Sequence, residues 1–371
     1  MSRNSVLNER HRALGSKLDE KAWGMPIPSS YSTDVNDEVV AVRTKVGLYD
    51  VSALNIVNVS GQDAEKLIDL LVARDITRLK PGHSLLAAIL TEKGGICDDI
   101  MVIRDSQTEF RLSHGGGDTK QQLAKLSGGL NVRVEPDNDV HILSLQGPKS
   151  LAVLGPLVDF DLSALEYFQH VKATLFGKQA YIARGGYSGE LGYEIYAKAA
   201  DTVLIWDELL KAGAPWGIVA ASWNSLELTR IEAGLLFYPF EMPEGDTTPW
   251  EVNMGWGVDL NKPGEYCGKA AVIASQGKQR VVQIGLIAKS AKALSAGDAI
   301  IIDGQRVGVV TSASYSHYLM QSLALAHIKP EFAAKGTNVV VQNAHGNIEA
   351  YVAPLPFYDP LRLRTHPRAG V

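Results

Sequence analysis

The chain has 371 residues, 46% hydrophobic and 21% charged, which suits a globular protein of two or three domains with a sizeable core. A formal net charge of -5 without any basic block argues against nucleic acid as a partner. MSRNSVLNERHRALGSKLDEKAW lacks the apolar run of a signal peptide, no stretch has the roughly 18 apolar residues of a membrane span, and Cys97 and Cys267 form no disulfide framework, so no membrane is implied and a reducing cytoplasm is the expected compartment.

In chain order, SGQDAEKLIDLLVA (60–73) reads as a helix, with Ser60 as its cap and apolar residues recurring at three and four. LLAAIL and ICDDIMVI read as strands joined by the turn TEKGG. Residues 140–158 read as strand, tight QGP turn and helix, and residues 179–197 as two strands around a glycine-rich turn. DTVLIWDELLKAG (201–213) is an amphipathic helix with a glycine stop, and AASWNSLELTRIEAG (220–234) is another. After about residue 275 the text changes to short strands with DG and HG turns, the mark of a small β-barrel or sandwich. The expected fold class is α+β, with a body at 1–275 and a β domain at 276–371.

The nine histidines show no HxH or HExxH spacing, so no built-in metal site is expected. There is no GxxxxGK[ST], and GGYSGELGY lacks the GxGxxG spacing of a dinucleotide loop. Several polar residues sit awkwardly instead. Asp98 and Asp99 interrupt an apolar strand, where alternation sends one side chain inward, and an unpartnered buried carboxylate is costly. Glu194 lies in a second strand, Arg230 and Glu232 lie on a helix among apolar neighbours, and Tyr187 and Tyr238 stand beside glycine and proline. Each also has a structural reading. The aspartates fit a turn cap or a lysine pair, Glu194 a solvent-facing strand residue, and Arg230 a pair with Glu227 within the helix. Cys97 reads as a packed core thiol.

MPIPSSYSTDVNDEVVAVRTKVGLYDVSA, GGICDDIMV, QGPKS, RGGYSGELGYEI and LELTRIEAGLLFYPFEM follow one another at compatible spacing, and the β domain contains VGVVTSASYS. Together these resemble the aminomethyltransferase family, the T-protein of the glycine cleavage system and its folate-dependent demethylase relatives. The resemblance implies a three-lobed body around a central cavity for tetrahydrofolate, with a C-terminal β-barrel. It implies that Asp99, the second aspartate of its motif, faces the reactive end of the folate. It implies that Glu194 binds the pterin, that Arg230 lies near the folate, and that Tyr187 and Tyr238 line the same site. The chemistry is coherent. A carboxylate accepts paired N–H bonds from a pterin edge, aromatic walls suit the ring faces, and a carboxylate near N5 orients it and takes its proton. On this reading Asp99 is the inward aspartate and Asp98 the outward or turn-bonding one.

The chain departs from the glycine cleavage pattern at DVSAL, at AASWNSLELTR, at SASYSHYLMQS, at EKAWGMPI, and at SHGGGD, which places His114 at a strand end. The folate-facing motifs remain. The expected function is therefore transfer of a methyl group from a small S-, N- or O-methylated substrate to N5 of tetrahydrofolate. The alternatives are the aminomethyltransferase of glycine cleavage, which implies a lipoyl carrier protein as partner, and a non-catalytic folate-binding protein. His114 reads either as a satisfied polar residue or as a catalytic general acid at the leaving atom. Trp223 and Trp250 read as core, or as walls for a cationic substrate.

Overall fold

Three β units carry the architecture of the computed structural model, which describes residues 3–344 and 346–366. The first is a five-stranded antiparallel sheet in the order His83–Leu90, Ile96–Arg104, Glu109–His114, Asn55–Ser60, Arg133–Asp137. The second is a six-stranded sheet in the order His170–Leu175, Lys178–Arg184, Gly192–Lys198, Val140–Gln146, Val46–Asp50, Ile218–Ala220. The third is a closed barrel of six strands, Val282–Ala288 to Gly346–Ala353. Closure leaves the barrel without an exposed strand edge. The fold is α+β with a C-terminal barrel.

Alternation in the strands decides which faces meet. Val57, Val59, Ile100, Val102, Phe110 and Leu112 turn one face of the five-stranded sheet toward helices Ala64–Leu71 and Thr119–Leu126. Leu143, Leu145, Tyr193 and Ile195 turn the outer face of the six-stranded sheet toward helix Ala199–Gly213, which contributes Ile205, Trp206 and Leu209 at helical spacing. The two inner faces meet through Ile56 and Ile103 on one side and Tyr49, Ile142 and Tyr196 on the other.

Two local expectations are corrected. Ser60 ends the strand Asn55–Ser60, and the following helix begins only at Ala64, after Asp63. The segment 220–234 does form a helix, Trp223–Glu232, but not a one-sided amphipathic one. Ser225, Leu226, Thr229, Arg230, Ile231 and Glu232 are all buried, because the helix lies between helix Val35–Thr44 and the barrel wall, where Ile231 meets Leu323 and Leu325. Its start is fixed by Glu38, whose carboxylate accepts the N–H (2.7 Å) and hydroxyl (2.6 Å) of Ser222. The expected turn at His345–Gly346 lies partly outside the described residues.

Candidate functional site

The two aspartates are sorted by a β-bulge. Leu90 pairs with Ile96 and Ile89 with Asp98, so Cys97 is one residue in excess. Beyond the bulge, Asp98, Ile100 and Val102 share the helix-covered face, while Asp99, Met101 and Ile103 face the other sheet. The expected roles of Asp98 and Asp99 are therefore half corrected. Asp98 is the wholly buried one, and Asp99 is partly exposed in the space between the sheets.

Asp98 tolerates burial because its oxygens are partnered. Oδ1 accepts the Asp99 backbone N–H at 3.0 Å, Oδ2 accepts the Thr119 hydroxyl, and His114 Nδ1 stands 3.3 Å from Oδ2. Asp99 differs. Among the described residues no other side chain donates to its carboxylate, and burial, then the negative charges of Asp98 and Glu241, push its pKa up to about 7.

His114 pairs with Ile100 across the strands and so lies on the Asp98 face. It is 3% exposed, with the thickness of the sheet between it and the Asp99 side. A general acid beside Asp99 was the expectation for His114; the pleat points the ring to the opposite face.

Glu194 lies on the inner face of the facing sheet. Ala183, Glu194, Ser144 and Tyr49 are successive cross-strand partners and form a row on that face. Glu194 Oε2 accepts the Tyr196 hydroxyl at 2.8 Å, and burial raises the Glu194 pKa against that one hydrogen bond. Tyr196 in turn lies 5.2 Å from the Arg111 guanidinium, which forms two 2.7 Å bonds to Asp105. Arg111 gave no signal in the sequence beyond its place in a strand.

Tyr187, from the glycine-rich turn, packs against this interlayer cluster and donates its hydroxyl to the Leu236 carbonyl. Burial raises its pKa well above the ordinary phenol, with Arg230, Glu241 and Asp99 among the charges around it. Tyr238 is half-buried in the loop that follows helix Trp223–Glu232, and Asp98 and Asp99 are among the charges that raise its pKa after burial itself. Phe237 connects this region to the surface. Its ring lies 6.4 Å from Tyr187, stacks on Trp23 at 5.9 Å and on Phe240 at 5.0 Å, and Phe240 is 54% exposed.

Arg230 is fully buried and fully engaged. Nε and Nη2 donate to Glu227 at 3.0 and 2.5 Å, Nη1 to the Leu235 carbonyl and Glu241 at 3.1 Å each, and Nη2 to the Ser312 hydroxyl at 2.7 Å. A guanidinium has five N–H donors, and all five are taken. For Arg230 a cofactor contact was expected; in the structure the residue ties the helix to the loop and the barrel. Glu241, which motif reading passed over, is the other half of the tie and accepts from Phe237 N–H (2.7 Å), Thr311 (3.1 Å) and Ser312. A second buried knot joins Arg43, Glu190, Glu232, Ser316 and Tyr358.

The tryptophans are structural. Trp223 Nε1 donates to the Asp50 carbonyl at 2.9 Å and Trp250 Nε1 to the Val272 carbonyl at 2.8 Å. Cys97 is buried in the helix-side core. A separate cleft of about 490 Å³ between helix Thr119–Leu126 and residues 265–271 includes none of the expected site residues. Among the described residues no group of three or more His, Cys, Asp and Glu is placed to hold a metal ion, and no helix is long and apolar enough to cross a membrane.

Known proteins give this geometry its setting. The GCVT N-terminal domain matches residues 7–262, and the glycine cleavage T-protein C-terminal barrel domain matches residues 279–359. The heme-dependent oxidative N-demethylase gamma subunit of Ectopseudomonas mendocina is 37% identical over 368 residues, 96% of each chain. The aminomethyltransferase of Streptomyces coelicolor is 33% identical over 367 residues, covering 96% of this chain and 97% of its own. The crystal structure of the glycine cleavage system aminomethyltransferase T from Bartonella henselae matches with a TM-score of 0.88 at 26% identity, over 96% of this chain and 98% of that one. Both domain models match and the likeness runs nearly end to end: the chain belongs to the glycine cleavage T-protein family.

Proposed function

We propose that this protein is a tetrahydrofolate-dependent one-carbon transferase serving demethylation of a small methylated compound. One observation carries the reading. Two carboxylates, Asp99 and Glu194, face the interlayer space from opposite sheets, and the protein supplies them with almost no donors of its own. Such groups suit a ligand that brings N–H donors, and reduced pterin is one.

The residues present fit that group. Glu194 has one oxygen free of Tyr196 and accepts paired pterin N–H bonds. Tyr187 supplies an aromatic wall. When bound, tetrahydrofolate supplies the nucleophilic N5 that receives the one-carbon unit. Asp99 would orient N5 and accept its proton during transfer. A carboxyl titrating at about 7 is matched to that work near neutral pH.

The demethylase setting draws support from the 37% identity to an oxidative N-demethylase subunit, which makes an N-methyl compound the favoured donor class. Direct methyl transfer yields methyltetrahydrofolate. A methyl group oxidised on nitrogen beforehand by a separate two-electron oxidant would leave its amine at the formaldehyde level, and its condensation with the folate, with loss of water, would give methylenetetrahydrofolate. A second reading, aminomethyl transfer from a lipoyl carrier protein, is favoured by the T-protein likeness at 33% and 26% identity.

The test is anaerobic calorimetric titration with tetrahydrofolate, followed by turnover with methylated donors and with lipoylated carrier. Micromolar binding that weakens at least about tenfold in Glu194→Gln supports the site. Turnover with a methylated donor supports demethylation, and turnover only with the carrier selects the second reading. Absence of binding with and without donor rejects the enzyme reading.

A further inference from the structure

Asp98 does not reach the face that Asp99 presents, yet its contacts converge on that neighbour. Oδ1 holds the Asp99 backbone N–H at 3.0 Å. Oδ2 is held by Thr119, which is fully buried, and faces His114 Nδ1 at 3.3 Å. Among the described residues neither ring nitrogen of His114 has a hydrogen-bond partner, and Asp98 is its neighbour at ion-pair distance. Gly117 seals the assembly, since a Cβ there would collide with the Cys97 carbonyl and the Asp98 carboxyl carbon.

We propose that Asp98, held by Thr119 and facing His114, is a positioning residue that fixes the Asp99 backbone and, through its buried charge, makes Asp99 a stronger proton acceptor. The inference rests on Asp99 as the proton-accepting group of the reading above. Two carboxyl groups on adjacent residues resist ionising together. Asp98 has two donors, the Asp99 N–H and the Thr119 hydroxyl, whereas Asp99, with no side-chain donor among the described residues, keeps its proton longer. The other groups around Asp99 are Glu241 and Tyr238 from the loop after helix Trp223–Glu232, and Tyr187 from the glycine-rich turn. Arg230 engages Glu241 and stands near Tyr187. Around Asp98 they are His114, Cys97 and Tyr238.

Carboxyl-labelled aspartate NMR on the full chain tests this, with Asp98→Asn and Asp99→Asn providing the assignments. Asp99 is expected to titrate near 7 in the natural protein and about one pH unit lower in Asp98→Asn, with the pH profile of transfer moving alike. An unmoved Asp99 midpoint in folded Asp98→Asn overturns the proposal. Should that variant not fold, the natural protein decides: at about pH 6 Asp98 must be ionised and Asp99 protonated, and the reverse order overturns it. Full turnover in Asp99→Asn would instead reject the proton-accepting role, while the titration would still report whether Asp98 acts on Asp99.

Discussion

Two regions of this molecule use the same residue types and treat them oppositely. Where helix Trp223–Glu232 meets the barrel, Arg230 has all five donors occupied, and Glu241 accepts from Phe237, Arg230, Thr311 and Ser312. Between the two sheets, Asp99 has no side-chain donor and Glu194 has one. A saturated buried charge is a structural tie, because leaving any part of it unpaired is expensive. A carboxylate that the fold leaves short of donors has raised proton affinity and room for a ligand's N–H groups. Saturation, more than residue type, distinguishes the two regions in this chain.

The contrast breaks most visibly at Arg230. Arg230→Ala leaves Glu241 buried without its cation and is expected to lower stability by about 3–5 kcal/mol, read by urea denaturation. Arg230→Lys is expected to recover only part, because an ammonium cannot reproduce the fork to Glu227, Leu235 and Ser312.

The interlayer side should respond with the opposite sign. The Asp99 pKa is raised from 3.8 to about 7, so the folded state prefers the proton. The stability this contributes is present at low pH and lost as pH rises from about 4 to about 7. At pH 8 the uncharged Asp99→Asn is therefore expected to be more stable than the natural protein by at most about 4 kcal/mol, less because the carboxyl is partly exposed, while its transfer rate falls. Denaturation at about pH 4 and pH 8 checks this, since the difference must vanish at the lower pH. Equal stability at both would place Asp99 with the ties.

The smallest effect sharpens the comparison from a third place. Burial pushes the Asp50 carboxyl up, but hydrogen bonds and charge from His11, and hydroxyls of Ser5 and Ser52, bring it to about 2. As a saturated carboxylate it contributes stability above about 4 that is lost as pH falls toward 2. Asp50→Asn is expected to cost about 2 kcal/mol at neutral pH and to flatten the acid limb of the stability curve. Stability profiles against pH for both proteins measure it.

Much of this was legible in the sequence, for identifiable reasons. The strands on either side of TEKGG, the hairpin around residues 185–191 and the helix Ala199–Gly213 follow from local period and turn chemistry, and the structure has them. The barrel strands begin at Val282, soon after the change of pattern near residue 275. The helix Trp223–Glu232 was found, but its surroundings were not: one-dimensional periodicity cannot tell a helix covered on one side from one enclosed by two other elements. Arg230 was picked out for the right oddity, a charge among apolar neighbours, yet its partners Glu241 and Ser312 lie 11 and 82 positions away. The His114 side chain depends on strand pairing, which no motif encodes, and so does the place of Arg111 beside Asp105 and Tyr196.

The bulge at Cys97 gives the motif a parity. Side chains in a strand take turns like odd and even numbers, and one surplus residue exchanges the two classes for everything beyond it. Counted by strict alternation from Ile96, Asp98 would share the face of Ile96; with Cys97 in excess, Asp99 takes that face and Asp98 the helix-covered one. Adjacent acids in related sequences therefore have to be counted from the strand's irregularity before either is assigned a task.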